Sequence, residues 1–152
     1  MGRLDQVLVS HHVLGVDTAP FIYLWERSPR YYPLSENLFR HLSQRGTVGV
    51  TSVISLIEAC VYPQRQGRLD LVQAYERALI HSQQVRMIPI DTRLARRATV
   101  LRAQYNLLVP DAIQVAAALE AGATLFVTND RKLCEVREIQ ILLFEDYVDH
   151  AE

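Results

Sequence analysis

Short apolar runs and amphipathic stretches alternate along this chain from residue 13 onward. Residues 13–16 (VLGV) are apolar throughout and rich in β-branched side chains, which predicts a buried strand. Residues 19–25 continue as an apolar helical turn or two, and the two prolines of ERSPRYYP break it. In residues 34–45 (LSENLFRHLSQR) the apolar positions 34, 38, 39 and 42 share a helical face, and Gly46 stands at a C-cap position. A second strand is expected at 48–51 (VGVT). Ser52 is placed to cap a helix over 53–62 that ends at Pro63. Residues 68–83 read as an amphipathic helix able to bury Leu69, Val72, Ala74, Leu79 and Ile80. A third strand, 86–90 (RMIPI), is confined by Pro89 to an edge or to its own end. Asp91 or Thr92 caps a helix running to about residue 106, and Pro110 opens another that Gly122 stops. Residues 124–128 (TLFVT) and 140–144 (QILLF) supply the fourth and fifth strands.

Short strands that are apolar on both faces and alternate with helices imply a parallel sheet covered on both sides. The expected fold is therefore α/β, a three-layer α/β/α sandwich around a mostly parallel five-stranded sheet. No repeat or linker-like stretch interrupts the alternation, so residues 1–152 read as one domain, with 1–12 an N-terminal extension and 13–146 the core. In such folds ligands collect outside the carboxyl ends of the strands, where the strand order reverses.

Composition narrows the class further. With 49% hydrophobic and 22% charged residues the chain resembles an ordinary soluble protein. No run approaches the roughly 18 apolar residues needed to span a bilayer. The start, MGRLDQVLVSHHVLGVD, lacks the apolar core and cleavage site of a signal peptide, so a cytoplasmic protein with no membrane partner is expected. Cys60 and Cys134 form no C-x-x-C pair and argue for neither a disulfide framework nor a zinc site. The net charge of −1 points to no polyanionic partner, although the bases are fifteen arginines and a single lysine, Lys132. Arginine's planar fork suits phosphate, but a compositional bias toward Arg explains the excess as well.

Four carboxylates stand out by position. Asp17 follows the first strand directly, and Asp130 follows the fourth by one residue, so both lie at carboxyl ends of predicted central strands. Asp111 sits in a first helical turn behind Pro110, where free N–H groups and the helix dipole favour an anion; that end effect alone would explain it. Glu58 is the one charge in VISLIEACVY. A helix apolar on nearly every face is expected to be buried, and a lone buried carboxylate costs several kcal/mol unless paired. No base lies one helical turn away, so its partner is either a distant arginine or a bound ion. Four acidic groups without matching bases would repel one another, and oxygen-only donors suit Mg²⁺ or Mn²⁺ rather than zinc.

On these residues the chain resembles the PIN-domain nucleases, and most closely the VapC-like toxins of toxin–antitoxin pairs. The likeness runs through VDTAPFIY (16–23), TSVISLIEACVYP (51–63), LLVPDAIQVAAAL (107–119) and LFVTND (125–130). Carried over position by position, it implies metal ligands at Asp17, Glu58, Asp111 and Asp130. Thr128 would be the hydroxyl beside the last carboxylate. The resemblance further implies a Mg²⁺- or Mn²⁺-dependent endoribonuclease that hydrolyses RNA phosphodiesters and leaves a 5′-phosphate. Its implied partners are a second copy of itself and a small antitoxin. Ala116, Ala117, Ala118 and Ala121 would let the helix bearing Asp111 lie close to the sheet, though helix propensity also favours them. Two departures, the dozen residues before the first strand and the long WERSPRYYP segment, bear on partner binding and specificity.

Other signals are weaker. Asp91 repeats the look of Asp17 but reads better as a helix cap. Arg93, Arg96, Arg97 and Arg102 read as a solvated helix face before an RNA contact. Tyr31 and Tyr32 fit packing before base stacking, and His11 and His12 have no third ligand. A haloacid-dehalogenase phosphatase needs an aspartate where Ala19 stands, and a receiver domain needs an acidic pair where Gly15 and Val16 precede Asp17. The remaining alternatives are a PIN nuclease of RNA processing without an antitoxin and a non-catalytic RNA-binding module. Retention of all four carboxylates counts against the latter.

Overall fold

The predicted strands assemble into a single parallel sheet because the middle ones carry no polar face to present to water. In a computed structural model, which describes residues 2–149, these are β1 (Val13–Val16), β2 (Val48–Ser52), β3 (Val85–Ile88), β4 (Leu125–Thr128) and β5 (Gln140–Leu143). Their order is β3-β2-β1-β4-β5, every neighbouring pair parallel. All four residues of β4 are buried, as are three of the four in β1.

Among the described residues α1 (Arg3–Leu8) precedes the sheet, and six helices connect its first four strands: α2 (Thr18–Trp25), α3 (Tyr32–Leu42), α4 (Val53–Arg65), α5 (Leu69–Ile80), α6 (Thr92–Tyr105) and α7 (Val109–Glu120). The chain steps from β1 to β2 to β3 in one direction, then crosses back to β4 and β5. Right-handed crossovers place the helices of the first two connections on one face and those of the return on the other. The two halves of the core follow that rule. Leu14, Val16, Leu125 and Val127 meet residues of α1 to α5, such as Leu8, Phe21, Leu38 and Leu79. Phe126 meets α6 and α7 through Leu94, Leu101, Val115 and Ala118, with Leu133 and Val136 from the turn before β5. The α/β/α sandwich is as expected, with a sheet that is wholly parallel.

Small residues set how near α7 lies to the sheet. A Cβ on Gly15 would stand 2.6 Å from the Ala118 Cβ and 2.6 Å from the Phe126 ring. Ala116, Ala117 and Ala118 are buried completely or nearly so. Their use as a contact surface matches the expectation, and it brings the N-terminal turn of α7 over the carboxyl edge of β1.

Several boundaries differ from expectation. Residues 1–12 include a helix, α1, whose Leu4 and Leu8 enter the core; its single apolar stripe is too short to declare a period. α4 does not stop at Pro63 but runs to Arg65. Proline lacks an N–H, so the helix forgoes only the bond to the Ala59 carbonyl, near an end where such bonds run out. β3 ends before Pro89, as its missing donor requires. Phe144 belongs to a 3-10 turn (Phe144–Tyr147) and not to β5, and a second such turn, Arg131–Glu135, follows Asp130. Among the described residues no helix is long and apolar enough to cross a membrane.

Candidate active site

The strand order reverses between β1 and β4, and the crevice at their carboxyl ends is where the carboxylates gather. Asp17 is the first residue past β1 and the N-cap of α2. Its backbone N–H still bonds the Val127 carbonyl at 2.9 Å, while its Oδ1 accepts from the Thr18 N–H at 2.8 Å. The other oxygen, Oδ2, accepts from the Thr128 hydroxyl at 2.7 Å. Thr128 is wholly buried at the end of β4, and its Oγ1 also accepts from the Asp130 N–H at 3.1 Å. One hydroxyl thus ties the first carboxylate to the loop bearing the last. Asp130 itself caps the 3-10 turn through the Lys132 N–H at 3.0 Å and is exposed.

Asp111 stands half-buried in the first turn of α7. Burial raises its carboxyl pKa, and the negative charges of Asp17, Asp130 and Glu58 raise it further, from an ordinary 3.8 to about 6 despite the opposing charge of Lys132. Asp17 is raised too, chiefly by loss of hydration, against bonds from Thr128, Thr18 and Gln114 that favour its ionised form. The four residues chosen from the sequence therefore share one electrostatic neighbourhood.

Glu58 requires a correction. Its helix was expected to be buried on nearly every face, yet Ile57 is 60% exposed, Tyr62 63% and Val61 41%, and Glu58 is itself exposed. The apolar run on α4 is a surface feature, so the argument from a deeply buried lone charge fails. Its carboxyl nonetheless turns inward: Oε1 accepts from the Thr18 hydroxyl at 2.8 Å. Partial desolvation there, with Asp17 nearby, raises its pKa, and the Thr18 bond pulls the other way. Within the chain its partner is a hydroxyl and not a distant arginine.

Behind the carboxylates lies a polar layer that the sequence did not mark. Gln114, 2% exposed, projects from α7 among alanines and touches Asp17, Thr18, Ser52 and Ser55. A buried amide in VAAAL-type surroundings was the available signal. On the other flank Asn129 donates to the Tyr23 hydroxyl at 3.0 Å and accepts from the Glu145 N–H at 2.9 Å. Glu145 also accepts from Tyr31 at 2.6 Å and from Arg30. The long segment 25–33 is thereby a brace: Tyr31 stacks on Tyr23 at 4.5 Å, and both hold the loop that carries Asp130. Packing, not base stacking, occupies Tyr31, as expected.

The decoys resolve likewise. Asp91 caps α6, accepting from the Leu94 N–H at 2.9 Å. The arginines of α6 lie on an exposed face, where Arg93 and Arg97 both pair with Glu120.

A family model described as PIN domain matches residues 15–139, most of the chain and all four carboxylates. The chain belongs to the PIN domain family. Solved structures agree on the fold. A toxin–antitoxin complex from Klebsiella pneumoniae aligns with a TM-score of 0.64 at 19% identity, covering 88% of this chain and 97% of that one. VapC20 of Mycobacterium tuberculosis, a sarcin–ricin-loop-cleaving toxin, gives 0.64 at 18%, covering 84% and 98%. DNA-bound VapBC from Salmonella typhimurium gives 0.62 at 19%, covering 88% and 98%. Likeness at such low identity speaks for the fold alone. No curated protein sequence matches the chain. In this PIN domain, no three His, Cys, Asp or Glu side chains among the described residues approach closely enough to hold an ion between them. The donors are all oxygens at the crevice mouth. That fits a cation such as Mg²⁺, which keeps several waters and takes one or two carboxylates, and does not fit a closed all-protein cage.

Proposed function

We propose that this PIN domain is a Mg²⁺- or Mn²⁺-dependent endoribonuclease and the toxin of a toxin–antitoxin pair, acting in the cytoplasm. The observation that carries the reading is Asp111, whose carboxyl is pushed up to about 6 by burial and three converging carboxylates at the sheet's switch point. Such accumulation of like charge is characteristic of functional sites. Asp17, Glu58, Asp111 and Asp130 would hold the cation, one or two directly and the others through water. A bound divalent ion supplies a water nucleophile at neutral pH and offsets the charge of a phosphodiester.

The chain's own groups do the rest. Thr128 and the Thr18 N–H fix both oxygens of Asp17, so that carboxylate is set before any ligand arrives. The Thr18 hydroxyl fixes Glu58. The Lys132 ammonium, held at 2.9 Å by the Asn106 carbonyl, lies where it opposes the charge on Asp111. Ile57, Val61 and Tyr62 on α4, the helix bearing Glu58, and Leu108 and Val109, close before Asp111 in sequence, are exposed apolar side chains. Exposed apolar side chains on the site's own helices suit a protein partner, and an antitoxin and a second copy of the chain belong to the reading. The solved relatives that are toxin–antitoxin complexes support it, as does the RNA-cleaving VapC20 for the substrate.

The test is cleavage of structured and single-stranded RNA by purified protein with Mg²⁺ or Mn²⁺, with product ends mapped for 5′-phosphate. Asp17→Asn should abolish cleavage, by a hundredfold or more, while the protein still melts cooperatively. Wild-type protein that cleaves and binds no RNA with either ion would sink the proposal.

A further inference from the structure

The polar layer beneath the carboxylates has a direction, and Gln114 sets it. Its Oε1 faces Ser52: the Ser52 backbone N–H, which can only donate, lies 3.2 Å from it, and the Ser52 hydroxyl bonds the same oxygen. The orientation of the amide is fixed by that backbone donor. Nε2 must therefore face the other way, 2.8 Å from Ser55 Oγ, 3.2 Å from Thr18 Oγ1 and 3.4 Å from Asp17 Oδ1.

From there each hydroxyl hydrogen has one place to go. An ionised Glu58 accepts only, so the Thr18 hydroxyl donates to it at 2.8 Å. Thr18 Oγ1 then accepts from Ser55, 2.9 Å away, and from the Gln114 amide. Ser55, its hydrogen spent, accepts from Thr51 at 2.7 Å and from the same amide. The result is a one-way chain, Thr51 to Ser55 to Thr18 to Glu58, with both middle oxygens filled by Gln114. Turned round, the amide would offer an oxygen to Thr18 and compete with Glu58 for its hydrogen. All of these side chains except Glu58 are buried, with Ser55 and Ser52 at 0% exposure, so water does not scramble the pattern.

We propose that Gln114 is a positioning residue that aims the buried hydroxyl chain at Glu58, setting that carboxylate beside Asp17 for one cation. This rests on the reading of Asp17 and Glu58 as cation ligands. Groups standing behind metal ligands typically change affinity by about 10–100-fold when removed.

The experiment uses the full chain and Mn²⁺ alone, with free ion read by electron paramagnetic resonance. Gln114→Met keeps the volume and removes the amide; Gln114→Glu keeps the acceptor toward Ser52 and replaces the donor toward Thr18. Both should bind Mn²⁺ at least tenfold more weakly. In a Thr18→Val background, where the chain is already cut, Gln114→Met should change affinity less than threefold. Equal weakening in both backgrounds would mark Gln114 as filler and overturn the proposal. Should the variants fail to fold, wild-type protein still decides: nuclear Overhauser contacts from the Gln114 amide hydrogens to the Thr18 methyl and Ser55 β-hydrogens are expected. Contacts to the Ser52 hydroxyl side instead would overturn the assignment. Wild-type protein that binds no Mn²⁺ defeats the cation-ligand reading, whereas reversed amide contacts defeat the role of Gln114.

Discussion

Replacing Asp111 with asparagine should make the cation-free protein more stable while removing the charge the site depends on. The folded-state pKa of Asp111 is about 6 against an ordinary 3.8. An acid raised in the folded state holds its proton where the unfolded chain has already released it. Between about pH 4 and 6 the folded protein therefore binds more protons, and stability falls as pH rises through that window and stays low above it. At about 1.4 kcal/mol per pKa unit the full shift corresponds to about 3 kcal/mol. Asp111 is half open to solvent, and screening reduces this to about 1–2 kcal/mol. Asparagine forfeits the anion's favourable position at the N-terminus of α7, about 0.5 kcal/mol. Repulsion wins, leaving a net gain near 1 kcal/mol, or about 2–4 °C in Tm for a chain of this size. Thermal melts in EDTA from pH 4 to 8 should show the Asp111→Asn curve above wild type at pH 7.5 and converging with it near pH 4. Mg²⁺ should raise the wild type more than the variant, because the ion relieves the same repulsion. A variant that melts at or below wild type at pH 7.5 without divalent ions would refute the claim that the carboxylates converge on Asp111.

Two further substitutions probe the frame around the site. Gly15→Ala places a Cβ 2.6 Å from Ala118 and Phe126, and neither backbone can retreat without moving α7; urea denaturation should show a loss of about 1–3 kcal/mol. Asp91→Ala removes the cap of α6 and should lower stability by about 1 kcal/mol, with RNA cleavage unchanged; lost cleavage would mean that Asp91 is more than a look-alike of Asp17.

What the sequence disclosed follows from which signals are local. Strand runs such as LFVT and the caps Ser52 and Asp91 are written in neighbouring residues, so the sheet and most helix starts were legible. Asp17 and Asp130 were legible because a strand's carboxyl end is a place that chain order alone defines. Glu58 was chosen for a wrong reason: periodicity in VISLIEACVY cannot say whether the apolar surface faces the core or awaits a partner, and here Ile57 and Tyr62 face outward. Gln114 was missed because its partners lie 59 to 97 residues away in sequence; its alanine-rich surroundings hint at burial but cannot name those partners. The brace from Tyr31 and Arg30 to Glu145 spans more than a hundred residues and was missed for the same cause.

The site's cost and its anchoring are linked through the topology. Four carboxylates kept close in the absence of a cation lower stability, so something must prevent the crevice from opening to separate them. Asp17 is tied to β4 by its own N–H and by Thr128, and Asp130 is tied to the same hydroxyl. Glu58 is tied to α2 through Thr18, and Gln114 links α7 to the end of β2 and to α4. Asp17 and Glu58 thus each have a neutral donor from a different element, the Asp130 carboxylate has one from its own turn, and Asp111 is held by the packing of α7 against Gly15. Neutral donors steady an anion without cancelling its charge, which a salt bridge would do. The repulsion therefore survives folding, and it is available to be relieved by a bound cation.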